Sequence, residues 1–152
     1  MGRSGDRKQV GAMARILIVE DDASTRGALR AGLEDVGHEV CEATNGAEAL
    51  AKLQVEPAPL VVLMDLHMPG LSGFELLRLV EEEPMRARRH AYVLLSADDA
   101  SIPVVRALRS TTVVAALAKP YDLDVLLGAI AEAARMLGDH IAEPQWRRRD
   151  DT

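Results

Sequence analysis

Four carboxylates, a hydroxyl and an ammonium close a series of short apolar runs. Glu20-Asp21-Asp22 follows Ile16-Leu17-Ile18-Val19, Asp65 follows Leu60-Val61-Val62-Leu63-Met64, Ser96 follows residues 92–95, and Lys119 follows residues 113–118. If the runs are neighbouring strands, side chains at their ends lie about 5 Å apart, where two unit charges repel by roughly 3 kcal/mol at an effective dielectric near 20. That crowding calls for compensation. Lys119 supplies one positive charge, and a divalent cation bound through oxygen would supply more, carboxylates and water favouring Mg2+. A hydroxyl and an ammonium facing carboxylates form a compact site able to hold an anionic group beside a metal. Acids after a strand also cap helices, where the macrodipole welcomes them, and that plainer role is open to Asp21 and Asp22. Asp65, ending an uninterrupted apolar run before Leu66-His67-Met68-Pro69-Gly70, suits it less.

The apolar runs cover residues 15–19, 39–43, 60–64, 92–95 and 113–118, each short enough for a strand. Several are continuous in Val, Ile and Leu, as parallel strands covered on both faces require. Helical spacing of apolar residues fills the gaps at 24–36, 47–55, 73–80 and 123–137, with 102–110 the weakest pattern. Gly37 is placed as a C-cap, Asn45-Gly46 as a turn, Pro57 and Pro59 as terminators, and Pro103 fits only a first helical turn. Strand and helix alternating five times predict an α/β fold: a five-stranded parallel sheet with right-handed crossovers and helices on both faces. Chemistry in such sheets sits beyond the carboxyl ends of the strands.

At 152 residues, one domain is expected. Residues 1–13 read as a leader, 14–138 as the folded domain and 139–152 as a flexible tail, the last helix stopping at Gly138 ahead of Pro144 and three arginines. Hydrophobic residues make up 48% and charged residues 28%, while aromatics at 3% leave the core to Ala, Val and Leu. A net charge of −6 works against adhesion to nucleic acid or anionic membrane. The cluster Arg86, Arg88, Arg89 and His90 lacks interleaved aromatics and reads as a solvated loop. The single Cys41 excludes an intramolecular disulfide, and no apolar run approaches the length of a membrane span. A cytoplasmic protein with no direct nucleic-acid or membrane partner is expected. No Gly-rich phosphate loop and no histidine box supports a kinase.

Taken together, Ile16-Leu17-Ile18-Val19-Glu20-Asp21-Asp22, Val62-Leu63-Met64-Asp65-Leu66-His67-Met68-Pro69-Gly70, Leu94-Leu95-Ser96-Ala97 and Lys119-Pro120 resemble the receiver domain of two-component response regulators, over about residues 14–138. The resemblance implies the flavodoxin-like, doubly wound order 2-1-3-4-5. It implies Asp65 as phosphoacceptor and nucleophile, taking a phosphoryl group from a histidine kinase or phosphotransfer protein. Glu20, Asp21, Asp65 and the backbone carbonyl of His67 would hold Mg2+. Lys119 would pair first with Asp65 and then with a phosphoryl oxygen, the Lys119–Pro120 peptide would be cis, and Ser96 would move to hydrogen-bond the phosphoryl group beside the small Ala97. Asp98 would influence phosphoryl lifetime or simply cap a helix.

The chain departs from the family at Ala116, where a switch aromatic is usual. Tyr121 reads as ordinary packing. Ser110-Thr111-Thr112 stands where the family often has Gly-Ala. With fewer than fifteen residues after position 138, output is expected through an unknown protein target. The domain would act as a monomer, or as a dimer through the family's fourth-helix, fifth-strand and fifth-helix face, here 102–110, 113–118 and 123–137. It would be a signalling domain and not an enzyme with an external substrate. The competing readings are a phosphorylation-independent interaction module and a metal-dependent phosphohydrolase. The latter normally needs an acid/base carboxylate two residues after the nucleophile, where His67 stands.

Overall fold

A computed structural model describes residues 13–82, 90–97 and 113–151. The elements in chain order are β1 (Arg15–Val19), α1 (Ala23–Asp35), β2 (Glu39–Ala43), α2 (Gly46–Val55), β3 (Val61–Asp65), α3 (Gly73–Glu81), β4 (Ala91–Ser96), β5 (Val113–Ala118) and α4 (Leu123–Asp151). The strands form one parallel sheet in the order β2-β1-β3-β4-β5. Alternate side chains of each strand serve opposite faces. Leu17, Val19, Val62, Met64 and Leu94 pack with Ala49 and Leu53 of α2 and Leu76, Leu77 and Val80 of α3. Ile16, Ile18, Val61, Leu63, Val93 and Leu95 pack with Leu33 of α1 and Leu126, Ile130 and Ala133 of α4. Both faces are thus covered, which is why β1 and β3 read as unbroken apolar runs.

Helix starts follow local chemistry. Asp22, Asn45 and Ser72 are N-caps whose side chains accept the N–H groups of Thr25, Glu48 and Glu75. Glu75 returns a bond to the Ser72 amide, completing a capping box. Val36 is the C-cap of α1, and Gly37 just beyond it takes φ +104°, a conformation costly for any residue with a Cβ.

Three expectations are corrected. Asn45-Gly46 is a cap and first helical residue, because the Asn45 side chain satisfies a free helix N–H that a turn would leave to water. β3 runs from Val61 to Asp65 and not from 60 to 64, so Asp65 is itself the last residue of the strand. α4 does not stop at Gly138 but continues to Asp151. Glycine costs only about 1 kcal/mol against alanine within a helix, too little to end one without a competing cap. The expected leader, apart from Met13, the pattern at 102–110, the arginines 86, 88 and 89, and Asp98 lie outside the described residues. Among the described residues, no helix is long and apolar enough to cross a membrane.

Candidate functional site

The sheet register brings the predicted residues to one edge. Val19 pairs with Met64, Asp65 with Leu95, and Ser96 with Ala118, so Glu20, Asp65, Ser96 and Lys119 all stand at the carboxyl ends of adjacent strands. Beyond the strands the backbone keeps this registration. Glu20 N donates to Ala43 O at 3.1 Å, Leu66 N to Leu95 O at 2.9 Å, and Lys119 N to Ser96 O at 2.7 Å. The Lys119–Pro120 peptide bond is cis.

Asp65 is buried, and both of its carboxylate oxygens are held. The His67 N–H donates to Oδ1 at 2.8 Å and Lys119 Nζ to Oδ2 at 2.8 Å. Lys119 Nζ also lies 3.7 Å from Glu20 Oε1. Burial works against the Lys119 charge, but the hydrogen bond to Asp65 and the charges of Asp65 and Glu20 outweigh it and raise its pKa above 10.5. Glu20 is only 3% exposed. Burial pushes its carboxyl up to about 7, opposed by the hydrogen bond from the Asp22 N–H and reinforced by the charge of Asp65. Its Oε2 takes that N–H at 3.1 Å, while Oε1 is buried with no hydrogen-bond partner.

Glu20, Asp21 and Asp65 each offer an oxygen, all within 4.8 Å of one another. A cation with Mg–O distances of about 2.1 Å spans about 4 Å between opposite ligands, so small side-chain movements close the set. The orphaned Glu20 Oε1 is the kind of atom a divalent ion satisfies, and the all-oxygen donors suit Mg2+. Asp22 does not join them. Its carboxylate accepts both the N–H and the hydroxyl of Thr25, at 2.8 and 2.6 Å, which hold its pKa below the usual range. The plainer of its two sequence readings is the structural one.

Ser96 is fully buried at the end of β4, and Ala97 beside it is exposed. Ala116 pairs with Leu94 and packs against the α2 and α3 side of the core, and Tyr121 packs on the opposite side. The His67 ring is exposed and meets Phe74 edge-on at 5.9 Å. Two positioning features escape a sequence reading. A Cβ at Gly73 would come within 2.7 Å of Asp65 O and Leu66 Cα, so only glycine lets α3 start against the end of β3. Arg26 Nη1 donates to the Glu20 carbonyl at 2.8 Å. Nothing in its type or spacing marks it out on a helix surface.

The family model for the response regulator receiver domain matches residues 16–131. The sensory/regulatory protein RpfC of Xanthomonas campestris is 32% identical over 120 residues, 79% of this chain and 16% of RpfC. Protein PilH of Pseudomonas aeruginosa is 46% identical over 71 residues, 47% of this chain and 58% of PilH. The chain therefore spans only part of the length of either relative. The crystal structure of response regulator TrrA from Thermotoga maritima, in complex with Mg2+-BeF, superimposes with TM-score 0.68 at 26% identity, covering 80% of this chain and 99% of that one. The strand order and the clustered acids, read with the family match, give one conclusion: this chain belongs to the receiver domain family of response regulators.

Proposed function

We propose that the chain is a phosphoacceptor switch. Asp65 takes a phosphoryl group from the phosphohistidine of a histidine kinase or phosphotransfer protein in a Mg2+-dependent reaction, and the modified domain changes its protein contacts within a phosphorelay. The observation that carries this reading is the Asp65 carboxylate, fixed by the His67 amide on one oxygen and Lys119 on the other beside two further acids.

One Asp65 oxygen attacks phosphorus. The O–P bond forms as the P–N bond to imidazole breaks, and the electron pair stays on the histidine nitrogen. Glu20, Asp21, Asp65 and the His67 carbonyl would hold Mg2+, which when bound neutralises charge on the phosphoryl oxygens. Lys119 transfers its hydrogen bond from Asp65 to a phosphoryl oxygen. The Ser96 hydroxyl swings towards the same group, and Ala97 leaves the approach open. A phosphoryl group adds about −1.5 to −2 charge to an edge already crowded with carboxylates, so these contacts make the product accessible. The differing contacts of Ser96 and Lys119 before and after transfer bias the surface that a target protein reads. The domain promotes only its own phosphorylation and dephosphorylation, and it works in the cytoplasm. The presence of Mg2+-BeF in TrrA supports the cation and the anion alike.

The test is intact mass after incubation with a small phosphodonor, with and without Mg2+, on the wild type and Asp65→Asn. One Mg2+-dependent phosphoryl addition that Asp65→Asn abolishes is expected. An addition that survives Asp65→Asn overturns Asp65 as the acceptor, and none with either a small donor or a phosphorylated kinase favours a phosphorylation-independent binding module.

A further inference from the structure

Arg26, in the first turn of α1, joins three pieces of structure that meet behind the acid cluster. Its Nη1 donates to the Glu20 backbone carbonyl at 2.8 Å, and its Nε donates to Glu42 Oε1 on β2 at 2.7 Å. Glu42 is itself anchored: Oε2 takes Arg30 Nη1 at 2.6 Å, and its backbone carbonyl accepts Lys52 Nζ from α2 at 2.5 Å. The Arg26 side chain is only 15% exposed, so this is a partly desolvated and charge-assisted arrangement.

The carbonyl that Arg26 grips belongs to the peptide joining Glu20 to Asp21. Fixing that oxygen fixes the peptide plane from which the two carboxylates diverge. Arg26's own amide donates to Asp22 O at 2.9 Å, so backbone and side chain of one residue bracket Asp21 from both directions. A guanidinium can do this because its N–H groups diverge in a rigid plane, whereas an ammonium offers one point charge.

We propose that Arg26 is a positioning residue for the divalent-cation site: by tying the Glu20 carbonyl to the Glu42 anchor, it holds the Glu20 and Asp21 carboxylates in the arrangement that takes Mg2+. This rests on reading the site as a Mg2+-dependent phosphoacceptor. Arg26 touches none of the reacting atoms. A role through charge alone has the opposite sign, since a cation behind three carboxylates weakens Mg2+ binding and its removal would tighten it.

The test is Mg2+ titration by calorimetry on the wild type, Arg26→Met, Arg26→Lys and Glu42→Gln, with urea unfolding of each to confirm the fold. Arg26→Met is expected to weaken Mg2+ roughly tenfold, the lower end of what outer-shell partners contribute. Arg26→Lys and Glu42→Gln should each fall between Arg26→Met and wild type, and saturating Mg2+ should restore the phosphorylation rate in all three. Unchanged or tighter Mg2+ binding in Arg26→Met would overturn the proposal, as would an Arg26→Lys variant equal to wild type. Hydrogen exchange at the Asp22 amide, which bonds to Glu20 Oε2, gives a metal-free readout and should quicken in Arg26→Met. If wild type takes up no Mg2+, the functional reading fails, and exchange then decides whether Arg26 orders the turn: unchanged exchange refutes it.

Discussion

Lys119 Nζ lies 2.8 Å from Asp65 Oδ2, a pairing of residues 54 apart in the chain that spans the ends of β3 and β5 with β4 between them. The ammonium also stands 3.7 Å from Glu20, so one cation serves two buried carboxylates. Deleting it leaves both uncompensated. Lys119→Met is expected to cost about 2 kcal/mol, below the 3–5 kcal/mol of a fully buried pair because the lysine side chain is 27% exposed. Adding Asp65→Asn to Lys119→Met should recover part of that loss. Urea unfolding of the four members of the cycle measures the coupling, and strict additivity would show the pair to be energetically idle.

Glu20 stands on the other side of this balance. Its carboxyl has a pKa of about 7 in the fold against 4.5 without it, so between those values the folded state binds more protons than the unfolded one. The contribution of Glu20 to stability is therefore greatest below pH 4.5 and is lost as pH rises through 7. Glu20→Gln should stabilise the metal-free protein by roughly 1–3 kcal/mol above pH 7 and weaken Mg2+ binding. Thermal unfolding at pH 5 and pH 8 checks this, since the gain should appear at the higher pH and shrink at the lower.

Gly73 marks where α3 abuts the end of β3. Gly73→Ala pushes a methyl group to within 2.7 Å of Asp65 O and Leu66 Cα, both backbone atoms. A loss of about 1–3 kcal/mol is expected, together with displacement of the Asp65 carboxylate. Chemical denaturation and amide shifts at His67, whose N–H reports on Asp65 Oδ1, would record both effects.

His38 works at the opposite edge of the sheet. Its Nδ1 accepts the Ala14 N–H at 3.1 Å, which requires the neutral ring, and burial lowers its pKa below 6.5. The unfolded chain takes up a proton near 6.5 while the folded ring resists it, so stability falls as pH drops from 6.5 towards the folded value. His38→Asn, which keeps an acceptor without a titration, should flatten that part of the profile. Urea midpoints from pH 7.5 to 5.5 for the two proteins test it, and parallel profiles would contradict it.

The strand ends are legible in the sequence because parallel strands covered on both faces need continuous apolar runs, and the residue that breaks each run stands at the carboxyl edge of the sheet. Glu20, Asp65, Ser96 and Lys119 are legible for that reason. Asp22 is ambiguous in the sequence because a cap and a metal ligand both ask for a short carboxylate, and only the nearby Thr25 decides between them. Arg26 and Gly73 left no readable signal. Their roles depend on which backbone atoms approach them, and approach is set by the packing of α1 and α3. The continuation of α4 past Gly138 leaves no signal in the sequence, because a glycine weakens a helix without by itself ending it.

The most direct test of Asp65 as acceptor is chemical mapping of the modified residue. Borohydride reduction of an aspartyl phosphate yields homoserine, which peptide mass spectrometry locates. After treatment with phosphodonor and Mg2+, homoserine is expected at position 65 and nowhere else. Homoserine at Asp21 or another carboxylate, or a phosphoryl group that resists reduction, would contradict the assignment of Asp65 as the acceptor.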